Sequence, residues 1–497
     1  MVELLDVVLP IISLIVFALL TLPVFRVIRK SQRKTALTLA WFFTVFAVTG
    51  AAVANLAFKY YSLPSPQPFL NVTVTDESFA ALSSAFMIDA VSVYMAIIFV
   101  VVSAVVFLYT VVYVDSSKRP SERYYAGILM LPGAVGGGVV WGGEGPVFRC
   151  GDGAAAGSGF LMVYKKNPVS LNSTLKYLVM IIIASAFIVF GLSIVYGLTG
   201  TLNFWAVKHA LTILADKHLL LLAFVFIVAG YAIESAVVPF HFWLPDAYSA
   251  APSSSSAFLS ALIDQGSYYV LIRVLVFILT PAGVLDWTLM LAVMAALTMV
   301  VGNLFALIQD DVKRLIANIC VADVGYNLVA ITSVTAAGLR GNLFFFLVGG
   351  ITTAMAFMAL GIINRYGFKT LEDFSGLGRK MPLASFALFV AALSFAGVPS
   401  TGGFMAKYLV VNAVINTEFS WLAVILVLMS VLQTAYLFRL VNYIYGKKPK
   451  DDVRIKEPLK LIIPVFILVA AIIIVGVYPS IVLGPIEHVI QQFPFVP

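Results

Sequence analysis

The chain has 497 residues, 61% of them hydrophobic and 11% charged, with a mean hydropathy of +1.02; a soluble domain is about 45–50% apolar, so a soluble fold is excluded. The net charge of +7 is spread over short loops rather than along one face or in an RNA-binding motif, which argues against nucleic acid and for a chain oriented in a bilayer. The two cysteines, Cys150 and Cys320, are far apart and outside any C-x-x-C or Cys/His cluster, so no disulfide framework, iron–sulfur centre or zinc site is written here and no metal is expected.

About 20 apolar residues are needed to cross about 30 Å of hydrocarbon. Fourteen spans are predicted, centred near residues 17, 47, 100, 132, 155, 186, 230, 267, 295, 324, 352, 399, 432 and 468. The first run, Val7 to Val27, has no basic stretch before it and no small-residue cleavage pattern after it, and reads as a retained span. Every second loop is basic: Arg26, Arg29, Lys30, Arg33 and Lys34 after the first span, Lys118, Arg119 and Arg123 after the third, Lys165, Lys166 and Lys176 after the fifth. The series continues with Lys313 and Arg314, with Arg365, Lys369, Arg379 and Lys380, and with the lysines and Arg454 of 447–460. Positive loops face the cytoplasm, so both termini are expected outside and the number of spans even.

Two spans are interrupted. In VVPFHFWLPDAYSAAP at 237–252, Pro239, Pro245 and Pro252 flank His241 and Asp246; proline removes a backbone donor and clashes with the preceding turn, so one continuous helix is not expected. GVPSTGG at 397–403, with Gly397, Pro399, Gly402 and Gly403, splits a second apolar run. Lipid cannot satisfy the freed backbone groups, so both breaks must face protein or a water-filled cavity, as where transporters bind ions; a re-entrant turn without an ion role is the plainer reading. The interrupted spans are the seventh and twelfth. Five spans is an odd offset, so successive five-span units would enter the membrane from opposite sides, as an inverted repeat. The expected organisation is all-α: three spans in 1–115, a five-helix repeat in 120–280, its inverted copy in 283–446, and a fourteenth span with the C-terminal tail in 457–497. Segments 201–218 and 369–381 are candidate interfacial helices.

PFHFWLPDAYSAAPS at 239–253, LIQDDVKRLIANICVADVGYNL at 307–328 and GVPSTGGFMAKYL at 397–409 resemble the antiporter-like membrane subunits shared by respiratory complex I, multisubunit Na⁺/H⁺ antiporters and membrane-bound hydrogenases. The likeness runs over roughly 160–445. It implies a fourteen-helix fold with two inverted five-helix repeats, and a role in moving H⁺ or Na⁺ within a larger complex. It also implies partners: further antiporter-like subunits and a peripheral redox arm on other chains. No counterpart of the long lateral helix of the distal complex I subunit is expected after span fourteen.

The resemblance further implies a midplane row of a glutamate on span five and lysines on spans seven, eight, eleven and twelve. Burial favours the uncharged form of such groups, which brings proton exchange within reach. Lys407 stands at the span-twelve position; a lysine snorkelling to the interface is the alternative, weakened by the break and the glycine pair before it. Glu234, five residues before Pro239, replaces a lysine. It is read either as a proton-exchanging carboxyl or as the partner of a neighbouring subunit's cation. On span eight Gln265 holds the lysine position and cannot titrate, whereas Asp264 beside it can but points about 100° away. Asp323 on span ten lies where relatives often carry His or Gln, and Thr353 on span eleven where they commonly carry lysine. Asp152 falls where the span-five glutamate belongs, in a glycine-crowded stretch, 133–159, unlike its relatives. That stretch is either a genuine divergence or a local shift of reading frame.

No P-loop, haem-ligand or flavin pattern occurs, so no cofactor is expected in this chain and the driving chemistry belongs elsewhere. The expected function is an antiporter-like subunit of a redox-driven complex translocating H⁺ and/or Na⁺ in the cytoplasmic membrane of a prokaryote. The rival is a degenerate paralogue that braces the membrane arm without conducting.

Overall fold

The computed structural model describes residues 4–28, 34–62, 70–71, 87–114, 124–128, 157–159, 161–163, 167–202, 207, 209–210, 217–275, 287–449 and 453–491. Most of the predicted fourth and fifth spans, Asp152 and most of 201–218 lie outside these residues. Apart from a two-residue antiparallel pair, β1 (Leu70–Asn71) with β2 (Met87–Ile88), and a bridge between Asp311 and Thr370, the described chain is helical or connects helices. The N-terminal helices are α1 (Leu4–Ile28), α2 (Lys34–Tyr61), α3 (Ala90–Tyr113) and α4 (Pro168–Thr199). Then come α5 (Lys217–Glu234), α6 (Trp243–Ala250), α7 (Ser253–Phe258) and α8 (Asp264–Ile272). The second half holds α9 (Thr288–Leu307), α10 (Val312–Thr332), α11 (Ala336–Asn364), α12 (Leu377–Lys380) and α13 (Pro382–Ala396). The chain continues with α14 (Gly402–Val414), α15 (Ser420–Val441), α16 (Leu459–Val477) and α17 (Ser480–Gln491).

Among the described residues nine helices are long and apolar enough to cross a membrane. Helix is what such runs must form, because hydrocarbon offers no partner to an exposed peptide group. Polar side chains start several of them. Asp89 accepts from Ser92 N and caps α3, Asn167 accepts from Ser170 N ahead of Pro168 in α4, and Asp311 accepts from Arg314 N in α10. Each satisfies a backbone donor that the first turn leaves free. The core lies at α10 and α11, which are almost wholly buried, with α9 packed along α10 and α7, α13 and α14 against α11.

The breaks take a more specific form than the prolines alone convey. The seventh span unwinds between α5 and α6, where Val238 N donates to Thr298 Oγ1 at 3.1 Å and Trp243 Nε1 to Ile233 O at 2.9 Å. Of the three prolines only Pro239 lies in the unwound stretch. Pro245 sits in the first turn of α6 and Pro252 caps α7, places where a missing N–H leaves no helical bond unmade. The twelfth span ends α13 on Gly397, at φ +75°, and restarts at α14, with Pro399 in the connection. Gly402 and Gly403 are the first residues of α14 rather than the break itself. A Cβ on Gly403 would overlap the Ser394 carbonyl of α13, so the two half-helices approach this closely only at a glycine. A third interruption is not marked by any proline. Between α7 and α8, residues Leu259–Ile263 form a π-helical turn, a feature that often accompanies functional sites.

The 369–381 segment is not the single interfacial helix expected. It is a 3₁₀ turn, Glu372–Phe374, followed by α12, because Gly376 between them has φ +68° and cannot continue a right-handed helix.

Several ion pairs join different helices. Asp246 meets Lys176 and Arg314, each at 2.8 Å, and the Lys313 ammonium donates to Ala251 O at the end of α6. Asp6 pairs with Lys59 at 2.7 Å, and Asp89 takes the Arg273 guanidinium in a bidentate pair.

Candidate functional site

Lys407, in the second turn of α14, is 7% exposed. Its ammonium donates to Phe395 O at 2.7 Å and to Gln433 Oε1 at 2.6 Å, and lies 4.6 Å from the centre of the Tyr326 ring. Phe395 belongs to the last turn of α13, where Gly397 N and Val398 N close onto the Leu393 and Ser394 carbonyls and the Phe395 carbonyl meets the ammonium at the negative end of that helix's dipole. The other end of α13 is held by an anion, since Glu457 accepts from Leu383 N and Ala384 N at 3.0 Å each. The broken span thus keeps a cation and a carboxylate at its two proper poles.

Gln433 connects Lys407 to a wider network. Tyr326 donates to Gln433 Oε1 at 3.3 Å, Asn303 Nδ2 to the Tyr326 hydroxyl at 3.3 Å, and Tyr436 to Asn303 Oδ1 at 3.0 Å. All four side chains are buried. Asp323 lies one turn before Tyr326 on α10, so it projects from the same face. The Asp323 carboxylate and the Lys407 ammonium act on each other electrostatically without meeting in a contact ion pair among the described residues.

Asp323 opens onto a cavity of about 20 Å³ lined by Gln265, Thr353, Ser260, Tyr268 and Asn327, among others. Space of that size holds one water or one ion. Three positions singled out in the sequence, on α8, α10 and α11, therefore converge on one chamber. The π-helical turn immediately before α8 contributes Ser260 to the lining. Glu234 and His241 do not line it. Glu234 is the buried last residue of α5, and His241 is buried in the unwound stretch with its ring on Phe242 and Phe305, centroids 4.2 and 5.7 Å away. Asp264 opens α8, but its side chain lies outside the described set, as does all of Asp152. Among the described residues no group of three or more His, Cys, Asp or Glu stands together as a metal site would require.

Gln433, Glu457 and the Asp89–Arg273 pair were not anticipated from the sequence. A glutamine or glutamate at the end of an apolar run carries no local sign of a partner many residues away. Arg273 also donates to Tyr269 OH at 2.6 Å and to Ser92 Oγ at 2.7 Å, so this buried charge has its donors well occupied.

The class of protein that this fold and site define is a polytopic helical membrane protein with interrupted spans around buried ionisable groups. Residues 155–433 match the family described as NADH:quinone oxidoreductase/Mrp antiporter, TM, and the chain belongs to that family. Among curated proteins it is 31% identical to the F(420)H(2) dehydrogenase subunit N of Methanosarcina mazei over 81% of this chain and 84% of that one. It is 33% identical to the NADH-quinone oxidoreductase subunit N of Herminiimonas arsenicoxydans over 64% of this chain and 66% of that one. A chain in the structure of the membrane-bound sulfane sulfur reductase, an archaeal respiratory membrane complex, superposes with a TM-score of 0.84 at 26% identity, covering 98% of this chain and 96% of that one. A chain of the Mrp complex from Dietzia sp. shares the fold, with a TM-score of 0.83 at 21% identity and coverage of 99% and 98%.

Proposed function

We propose that this chain is a membrane subunit of a redox-driven complex and helps to translocate a cation along the line from the Asp323 cavity to Lys407. The supporting observation is the arrangement itself. A buried ammonium is held by a half-helix terminus and an amide, within electrostatic reach of a buried carboxylate that faces a polar chamber. A charge at mid-span costs about 2.5–3.5 kcal/mol on insertion scales, so two of them kept out of direct contact are a burden that exchange with an ion would explain. Driving one charge against 100 mV takes about 2.3 kcal/mol. Electron transfer in partner chains supplies that, and the redox cofactors reside there.

The relatives' names support the partners: further membrane subunits, including other antiporter-like ones, and a peripheral arm. The alternating basic loops support a cytoplasmic membrane with both termini outside. The odd offset of five predicted spans between the two interruptions supports inverted repeats over 120–280 and 283–446. Glu234, His241 and Asp264 are candidates for the path beyond the chamber, and Asp152 for its entry.

A bracing, non-conducting role is the second reading, favoured by Gln265 and Thr353, neither of which titrates. Replacing Lys407 by Ala separates the two. Loss of ion pumping in an assembled, redox-active complex is expected from translocation, and unchanged pumping rejects it.

A further inference from the structure

We infer that the chamber between α8, α10 and α11 is a binding site for one dehydrated monovalent cation of Na⁺ size, with the Asp323 carboxylate as its charged ligand. This rests on the translocation reading above and names the ion at its first station. Asp323 is 9% exposed, and among the described residues no donor hydrogen-bonds its carboxylate. The Oε1 of Gln265, in the same lining, is buried without a donor among the described residues. A buried carboxylate and a buried amide oxygen left without donors are expensive unless something positive meets them.

The nearest cation does not meet that need. The Lys407 ammonium already donates to Phe395 O and Gln433 Oε1, so its influence on Asp323 acts through space. The other lining residues include four with oxygen-bearing side chains, Ser260, Tyr268, Asn327 and Thr353. Thr353 donates its own proton to Gly349 O at 2.9 Å, which leaves its lone pairs for a cation. Asn342 Nδ2 donates to Tyr268 OH at 3.2 Å, fixing that hydroxyl at the wall. Oxygen ligands, one formal negative charge and room for a single ion suit a hard monovalent cation better than a divalent one, which calls for more carboxylates. Nitrogen and thiolate ligands, which softer metals prefer, are scarce: Cys320 is the one sulfur in the lining.

The test uses the intact complex in proteoliposomes at fixed pH, with Na⁺ replaced stepwise by choline, and follows redox-driven charge movement. Saturable dependence on Na⁺ is expected, and Asp323→Asn is expected to raise the half-saturating Na⁺ concentration about tenfold or more. Thr353→Lys, which carries a tethered ammonium into the chamber, is expected to make charge movement independent of Na⁺. Should that variant fail to assemble, Gln265→Leu serves, and a rise in half-saturating Na⁺ supports the site. Charge movement indifferent to Na⁺ overturns the inference, as does an unchanged Na⁺ requirement in Asp323→Asn. If pumping requires Lys407 but not Na⁺, the translocation reading stands and the cation assignment alone falls.

Discussion

The Lys407 ammonium reaches back across the break in its own span to the Phe395 carbonyl, 2.7 Å away, and shares its charge with Gln433 on α15 at 2.6 Å. One lysine therefore closes the end of α13, ties α14 to α15, and places a positive charge opposite Asp323. Gln433 is the part of this arrangement that can be altered without touching the ammonium. A hydrogen bond to a charged group contributes about 1.5–3 kcal/mol, so Gln433→Leu is expected to lower pumping by roughly tenfold or more while redox activity persists. Gln433→Asn, which keeps the amide, is expected to restore part of it. Charge movement per electron transferred in the purified complex is the measurement.

The Asp89–Arg273 pair is expected to be structural. Both residues are buried, and removing one partner of such a pair costs about 3–5 kcal/mol, because the other charge is left unmatched. Asp89→Ala is expected to lower the melting temperature of the complex or prevent assembly. The double variant Asp89→Leu with Arg273→Leu is expected to be the more stable of the two, as thermal denaturation would show.

Close approach of the half-helices at the twelfth-span break makes Gly403 specific. Gly403→Ala would drive a methyl into the Ser394 carbonyl and is expected to abolish assembly. Gly484→Ala, where an added Cβ meets nothing within 4 Å, is expected to be silent. Comparing how much of each variant enters the membrane complex checks both.

Asp246 holds Lys176 and Arg314 at one end of the bundle, but both cations are about half exposed. Exposed pairs contribute about 0–1 kcal/mol each, so Asp246→Asn is expected to change stability little. Glu457, which closes the N-terminus of α13 with two hydrogen bonds, is expected to matter more, at about 0.5–2 kcal/mol for Glu457→Ala. Parallel thermal melts of the two variants test that order.

The parts legible in the sequence were those carried by local chemistry. Long apolar runs can only be helices in lipid, Pro239 removes a donor wherever it stands, and Gly397 is suited to the left-handed turn that ends α13. Pro245 and Pro252 show the limit of this reasoning: the same residue type begins a helix as readily as it breaks one, and only the positions of neighbouring turns decide which. The π-helical turn at 259–263 left no trace, because LSALI is an ordinary apolar helical string and the wider turn arises from packing. The convergence of Gln265, Asp323 and Thr353 on one chamber, and the choice of Gln433 as the partner of Lys407, depend on how five helices pack. No single-helix periodicity contains that information.

The most direct test of the central claim, that Asp323 and Lys407 serve one path for a cation, is the number of ions moved per electron pair in Asp323→Asn, Lys407→Ala and the double variant. Residues acting as a unit are not additive. The expected result is that each single variant lowers the ratio and the double variant lowers it no further than the worse single one, with assembly and redox activity retained. A ratio equal to that of the unaltered complex in either single variant would contradict the account.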